Sequence, residues 1–266
     1  MTTKLFKVEL SDDSKKIHLI TIDMNDMVVA VTGAGGNIGS GIAERFAAAG
    51  ASLVLQTNTS EPPAMESPGG VTSLRCDLTD HDGPQSVVTA AIDAYGRLDA
   101  VINNAGIQPV ASFMDIADED WDAMLATNVT ACHRLTKAFA QHVIDRKGTG
   151  SVVHIASIEG THAAVGHSHY STSKAALIMH AAASAVELGP MGIRVNSVSP
   201  GLVGRPGIED AWPEGVQRWL NAAPLGRMGQ GDDIGDACVF LCSTLARWIT
   251  GIDLIVDGGV ASRNTW

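Results

Sequence analysis

Two hydrophobic patterns alternate along most of this chain. Short, nearly continuous apolar runs rich in β-branched residues predict strands at MVVAVTG (27–33), SLVLQT (52–57), VTSLRCD (71–77), LDAVINNAG (98–106), SVVHIAS (151–157), GIRVNSVSP (192–200) and IDLIVDGG (252–259). Between them, apolar residues spaced by three and four predict helices at 38–50, 83–95, 118–147, 169–188 and 232–246. Pro84 suits the first turn of the second helix, and Asp118 is expected to cap the third. The run EPPAMESPGG (61–70) reads as an exposed loop, and a looser stretch with Pro206, Pro213 and Pro224 precedes the last helix. Strand–helix alternation implies right-handed crossovers and a parallel sheet with helices on both faces. The expectation is α/β: a single-domain doubly wound sheet over residues 27–266. Residues 1–26 do not fit that scheme. Here FKVEL and IHLITI flank the polar SDDSKK, which suggests an N-terminal extension, either a β-hairpin or a disordered leader.

Composition narrows the setting. With 266 residues and 45% of them hydrophobic, the chain can bury one large core. A formal charge of −11 argues against a grip on nucleic acid or on an anionic membrane. No run approaches the roughly 18 apolar residues of a membrane span, and the N-terminus lacks the compact apolar run of a signal peptide. A cytoplasmic location is expected. Cys76, Cys132, Cys238 and Cys242 form no CxxC pair and read as reduced, structural thiols. No metal site is signalled, since His167 and His169 lack a third ligand.

The candidate chemistry begins at Thr32-Gly33-Ala34-Gly35-Gly36-Asn37-Ile38-Gly39, between a predicted strand and a predicted helix. Glycines there let the backbone turn tightly and let a pyrophosphate reach the free N–H groups of the helix N-terminus. The usual G-x-G-x-x-G spacing does not fit in frame. The turn resembles the T-G-x-x-x-G-x-G turn of the short-chain dehydrogenase/reductase family, with Asn37 where the penultimate glycine would stand; Asn tolerates a left-handed backbone.

The resemblance, to the compact branch of that family, runs from about Met27 to Gly259 and implies a Rossmann-type fold. It matches Asp77 in CDLTD to the acidic residue beside the adenine, and Asn103-Asn104-Ala105-Gly106 to a loop near the cofactor. Asn128, Ser157, Tyr170 and Lys174 match its catalytic tetrad, Pro200-Gly201 its nicotinamide-side loop. It implies dinucleotide contacts at Gly33, Gly36, Asn37, Ile38, Gly39, Thr57, Asn58, Asp77, Leu78, Asn104, Ala105, Gly106, Tyr170, Lys174, Pro200, Gly201 and Val203. It further implies a homodimer or homotetramer packed through the helices that hold Asn128 and Tyr170.

The residues support the same chemistry directly. Tyr170 and Lys174 lie four apart, on one face of a helix. A phenol with a pKa of about 10 is a poor base at neutral pH, and a nearby ammonium is expected to lower it. Ser157 ends a strand at the edge where open α/β sheets bind ligands, and its hydroxyl can hold a substrate oxygen while Tyr170 moves the proton. The resemblance places Asn128 on a water that links Lys174 to solvent.

The reading is therefore an NAD- or NADP-dependent oxidoreductase that interconverts an alcohol and a carbonyl. After the second strand, Gln56-Thr57-Asn58-Thr59-Ser60 carries no carboxylate to exclude the NADP phosphate, which leans the cofactor toward NADP, with Arg75 an unplaced candidate partner. Gln108, Ser157, Glu159, His162 and His167 would suit a sugar or polyol, and Trp212 and Trp219 lie on a candidate lid. Two alternatives stand beside it: an epimerase-type enzyme that returns the hydride to the same substrate, and a non-catalytic dinucleotide sensor or scaffold. Retention of both Tyr170 and Lys174 weighs against the sensor.

Overall fold

The structure, a computed structural model, describes residues 21–262. Its strands are β1 (Val28–Thr32), β2 (Ser52–Thr57), β3 (Val71–Arg75), β4 (Ala100–Asn103), β5 (Gly150–Ile155), β6 (Ile193–Pro200) and β7 (Asp253–Val256). They form one parallel sheet in the order β3-β2-β1-β4-β5-β6-β7. The near-continuous apolar runs follow from burial on both faces. Successive side chains of β1 point to opposite sides: Val29 and Val31 pack toward Ile42 and Phe46 of α1 (Asn37–Ala48). Val28 and Ala30 join the other layer, with Val87 and Val88 of α2 (Gly83–Tyr95).

A long helical segment follows β4. It comprises α3 (Asp118–Leu125), a π turn (Ala126–Thr130) and α4 (Ala131–Asp145). Next come α5 (Ser168–Leu188), the short α6 (Ile208–Ala211), α7 (Pro213–Ala222) and α8 (Gly231–Cys242). Leu135 and Phe139 of α4 and Ala181 of α5 share the layer of α2, whereas Ile234 and Cys238 of α8 join α1 on the opposite face. The sheet order reverses between β1 and β4, so a crevice opens beyond their carboxyl ends, the usual ligand position of such sheets.

Three details differ from the sequence reading. Asp118 is the first helical residue rather than the cap; extended Ala117 precedes it, and Asp118, Glu119 and Asp120 lie in the first turn, where the helix dipole favours them. The helix expected to run unbroken from 118 widens into a π turn around Asn128. The loose stretch after β6 holds α6 and α7. The extension expected over 1–26 lies largely outside the described residues. Its last part, 21–26, carries no strand, and Met24 is buried in the α1 layer. No described helix is long and apolar enough to cross a membrane.

Candidate active site

A cavity of about 1500 Å³ occupies the crevice. That exceeds the roughly 300–1,000 Å³ of common small-ligand sites and gives room for a dinucleotide with a second molecule. Gly33, Gly36, Asn37, Ile38 and Gly39 line it, as do Asn58, Asp77, Leu78, Asn104, Ala105, Gly106, Pro200, Gly201 and Val203. Thr57 does not: it is a buried strand residue of β2.

The turn after β1 is set by backbone needs. Gly33 has φ +62°, and a Cβ there would come within 2.8 Å of Ala105 Cα. Thr32 and Asn104 lock the turn to the loop after β4. The Asn104 amide donates to Thr32 O at 2.9 Å and Gly33 O at 3.1 Å, while the Thr32 hydroxyl accepts from Asn104 N and Ala105 N. Gln56 accepts from Gly33 N at 3.0 Å and donates to Cys76 O at 2.8 Å, so it braces the turn. No side chain caps the N-terminus of α1, which leaves its first N–H groups facing the cavity as an anion site. These features fit a dinucleotide pyrophosphate. Asn37 is not left-handed, since Lys147 is the only described non-glycine residue with positive φ. Asn37 opens α1 instead, and its amide donates to Gly204 O at 2.6 Å, joining the glycine turn to the loop after β6. After β3, Asp77 accepts from Thr79 N and Oγ1 and from Asn58, bonds that hold its carboxyl below the ordinary value. Arg75 pairs with Glu61 and does not line the cavity.

Ser157, Tyr170 and Lys174 converge on the same space. Ser157 lies just beyond β5, and its Oγ accepts from Glu159 N at 3.1 Å. Lys174, buried, donates to Ile155 O at 2.7 Å, and its Nζ lies 5.5 Å from the centre of the Tyr170 ring. Burial pushes Lys174 down to about 8. Tyr170 moves opposite to the sequence expectation. Burial pushes its phenol up to about 12; the adjacent Ser157 hydroxyl offsets part of the rise and the Glu159 carboxylate adds to it. The desolvation of both groups, which sequence spacing does not register, outweighs the expected help from the ammonium.

Asn128 does not line the cavity. It is fully buried in the π turn, accepting from Ile107 N at 2.8 Å and donating to Ile107 O at 3.0 Å and Ser173 Oγ at 3.0 Å. It thus clamps the loop after Gly106. A Cβ at Gly106 would stand 3.1 Å from Asn128 Oδ1 and 3.7 Å from Lys174 Nζ, which places that glycine in the gap between the two.

The remaining wall comes from three loops. Gln108, Glu159, His167 and Trp212 line it as expected, but His162 does not: it is exposed and bonded to the Thr161 hydroxyl. His167 Nδ1 lies 2.8 Å from Glu159 Oε2, and its ring meets that of Tyr170 edge-on at 6.0 Å between centres. Val110, Val165, Ile208, Arg205 and Arg218 also line the cavity, unforeseen in the sequence. Trp219 packs over Gly201. The spacing of Val216, Trp219 and Leu220 in a Pro-started segment was the available signal that this stretch folds back as a helix.

Comparison with known proteins finds relatives over most of the chain. A short-chain dehydrogenase family model described as enoyl-(acyl carrier protein) reductase matches residues 33–261. L-rhamnose 1-dehydrogenase (NAD(P)(+)) of Azotobacter vinelandii is 33% identical over 88% of this chain and 96% of its own. A 2,5-dichloro-2,5-cyclohexadiene-1,4-diol dehydrogenase of Sphingobium indicum is 32% identical over 87% and 95%. A 3-oxoacyl-(acyl-carrier-protein) reductase of Thermotoga maritima is 31% identical over 88% and 97%.

Proposed function

The chain belongs to the short-chain dehydrogenase/reductase family and is an NAD(P)-dependent oxidoreductase, and on that premise we propose that it interconverts an alcohol, a sugar or polyol hydroxyl, with the matching carbonyl. One observation carries the reading: Ser157, Tyr170 and Lys174 face a single cavity that also holds the uncapped N-terminus of α1. Bound there, NAD(P) supplies the hydride acceptor for oxidation or the hydride donor for reduction.

The chain's own residues handle the oxygen and its proton. Ser157 donates to the substrate oxygen, and Tyr170 exchanges the proton on that same oxygen. With its phenol pushed up to about 12, Tyr170 holds its proton at neutral pH and can give it to the oxygen in carbonyl reduction. To act as base in oxidation it needs added positive charge, from the Lys174 ammonium and the oxidised nicotinamide. Lys174 is held at the right height by Ile155 O. Asn128, by fixing Ile107 beside the gap at Gly106, keeps open the water path through which Lys174 exchanges protons with solvent. The dinucleotide lies along the residues that line the cavity from Gly33 to Val203, and NADP is preferred, since Asn58, Thr59 and Ser60 present no carboxylate against a phosphate. The protein assembles as a homodimer or homotetramer through the long helices, where α5 leaves Met179 and Val186 exposed.

The test is absorbance at about 340 nm while the protein meets NAD or NADP with sugars, polyols and secondary alcohols. A rise with one substrate group is expected, larger with NADP. Cofactor binding without turnover on any of them would overturn the alcohol–carbonyl reading.

A further inference from the structure

We infer that His167, oriented by Glu159, reads a second hydroxyl on the carbon next to the reacting one, making vicinal diols and sugars the substrate class. The inference rests on the alcohol–carbonyl reading and deepens it.

The geometry links four side chains into one unit. The turn at Ile158–Gly160 places the Glu159 N–H on Ser157 Oγ at 3.1 Å and its carboxylate 2.8 Å from His167 Nδ1. His167 then immediately precedes α5, three residues before Tyr170. The two side chains retain only 18% and 19% of their exposure, so few waters compete for the contact between them. An edge-to-face contact at 6.0 Å between ring centres seats His167 against Tyr170 on the wall of the same cavity.

The carboxylate fixes which ring nitrogen carries the hydrogen. An ionised carboxylate only accepts, so the hydrogen between His167 and Glu159 sits on Nδ1. In the neutral imidazole Nε2 is then a lone-pair acceptor, oriented by its carboxylate as an imidazole is by a second partner. Nε2 has no partner among the described residues and is not sealed from the cavity that His167 lines. Ser157 and Tyr170 both present hydroxyls to the reacting oxygen. His167 adds a fixed acceptor beside them. A neighbouring hydroxyl satisfies it; a neighbouring methylene leaves it unpaired, and a neighbouring carbonyl or carboxylate opposes it lone pair to lone pair, with the Glu159 charge behind. Sites built to bond a substrate hydroxyl reject the analogue that lacks it for this reason.

The experiment compares kcat/KM for matched pairs: cis-cyclohexane-1,2-diol with cyclohexanol, and butane-2,3-diol with butan-2-ol. The readout is the diol-to-alcohol ratio, which does not depend on the fraction of folded enzyme. His167→Phe is expected to lower that ratio about 10–100-fold, mainly through KM for the diol. His167→Gln, whose amide oxygen accepts, should restore most of it, and Glu159→Gln should lower it part of the way by freeing the imidazole to change tautomer. Equal losses on both members of each pair, with the ratio unmoved, would overturn the inference and leave the oxidoreductase reading standing. Failure of the unsubstituted enzyme to oxidise any of the four alcohols, with sugars equally silent, would bring down the reading and the inference together.

Discussion

At the dinucleotide end of the cavity, Thr32, Gln56 and Asn104 commit their side chains to backbone groups of neighbouring turns. At the substrate end, Glu159 and His167 bond each other, while Val110, Val165 and Trp212 stand 71%, 102% and 48% exposed. The first end is a fixed extension of the sheet: each contact joins two strand ends already held by the parallel ladder. The second is carried by loops whose side chains have few partners. A dinucleotide is the same molecule for every reaction, so a rigid cradle serves it. The second ligand differs from reaction to reaction, and its wall varies without disturbing the core.

Three substitutions probe that contrast, from the largest effect to the smallest. Tyr170→Phe acts where the two ends meet. Loss of the proton carrier should lower kcat by about 10³-fold or more, while the cradle keeps its grip. Turnover and dinucleotide Kd, the latter by fluorescence titration, separate the two. Near-normal turnover would sink the proton-carrier assignment.

Lys174→Met tests the cost of charge held behind the cradle. Burial pushes the folded-state value down from 10.5 to about 8, below that of the unfolded chain. Charging this lysine inside therefore opposes folding. The opposition is full below about pH 8 and fades as pH rises toward 10.5, because across that window the unfolded chain still binds a proton that the folded chain has released. The variant should be inactive but more stable at pH 7, by up to about 3 kcal/mol, with the gain shrinking above pH 8. Thermal melts across that range decide it. A gain that does not change with pH would point to packing rather than charge.

Asn104→Ala cuts the tie between the glycine turn and the loop after β4. Two hydrogen bonds to Thr32 O and Gly33 O disappear, and dinucleotide Kd should rise about tenfold, with the preference among alcohols unchanged. An altered preference would show that the two ends of the cavity are coupled.

The cradle was legible in the sequence because its parts are local. The glycine turn lies between a strand and a helix within a few residues, and the Asn104 loop directly follows its strand. Tyr170 and Lys174 were legible as a pair because four residues make one helical turn. Their proton affinities were not. Burial, which raises one and lowers the other, depends on which distant segments close over α5. His162 and His167 looked equivalent as loop histidines, yet only His167 faces the cavity and finds Glu159. Thr57 alternates into the sheet while Asn58 lines the cavity, a difference of one residue in strand register.

By itself the sequence determined the order of strands and helices, the parallel sheet, the place of the glycine turn, and the tyrosine–lysine pair, because each is written in periodicity or in spacing within one turn. Tertiary structure alone decided the π turn that aims Asn128 at Ile107, the link from Asn37 to Gly204, the fold-back of α6 and α7 over the cavity, and the pairing of Glu159 with His167. Each of these depends on a contact or a burial between segments that the chain's local pattern does not bring together.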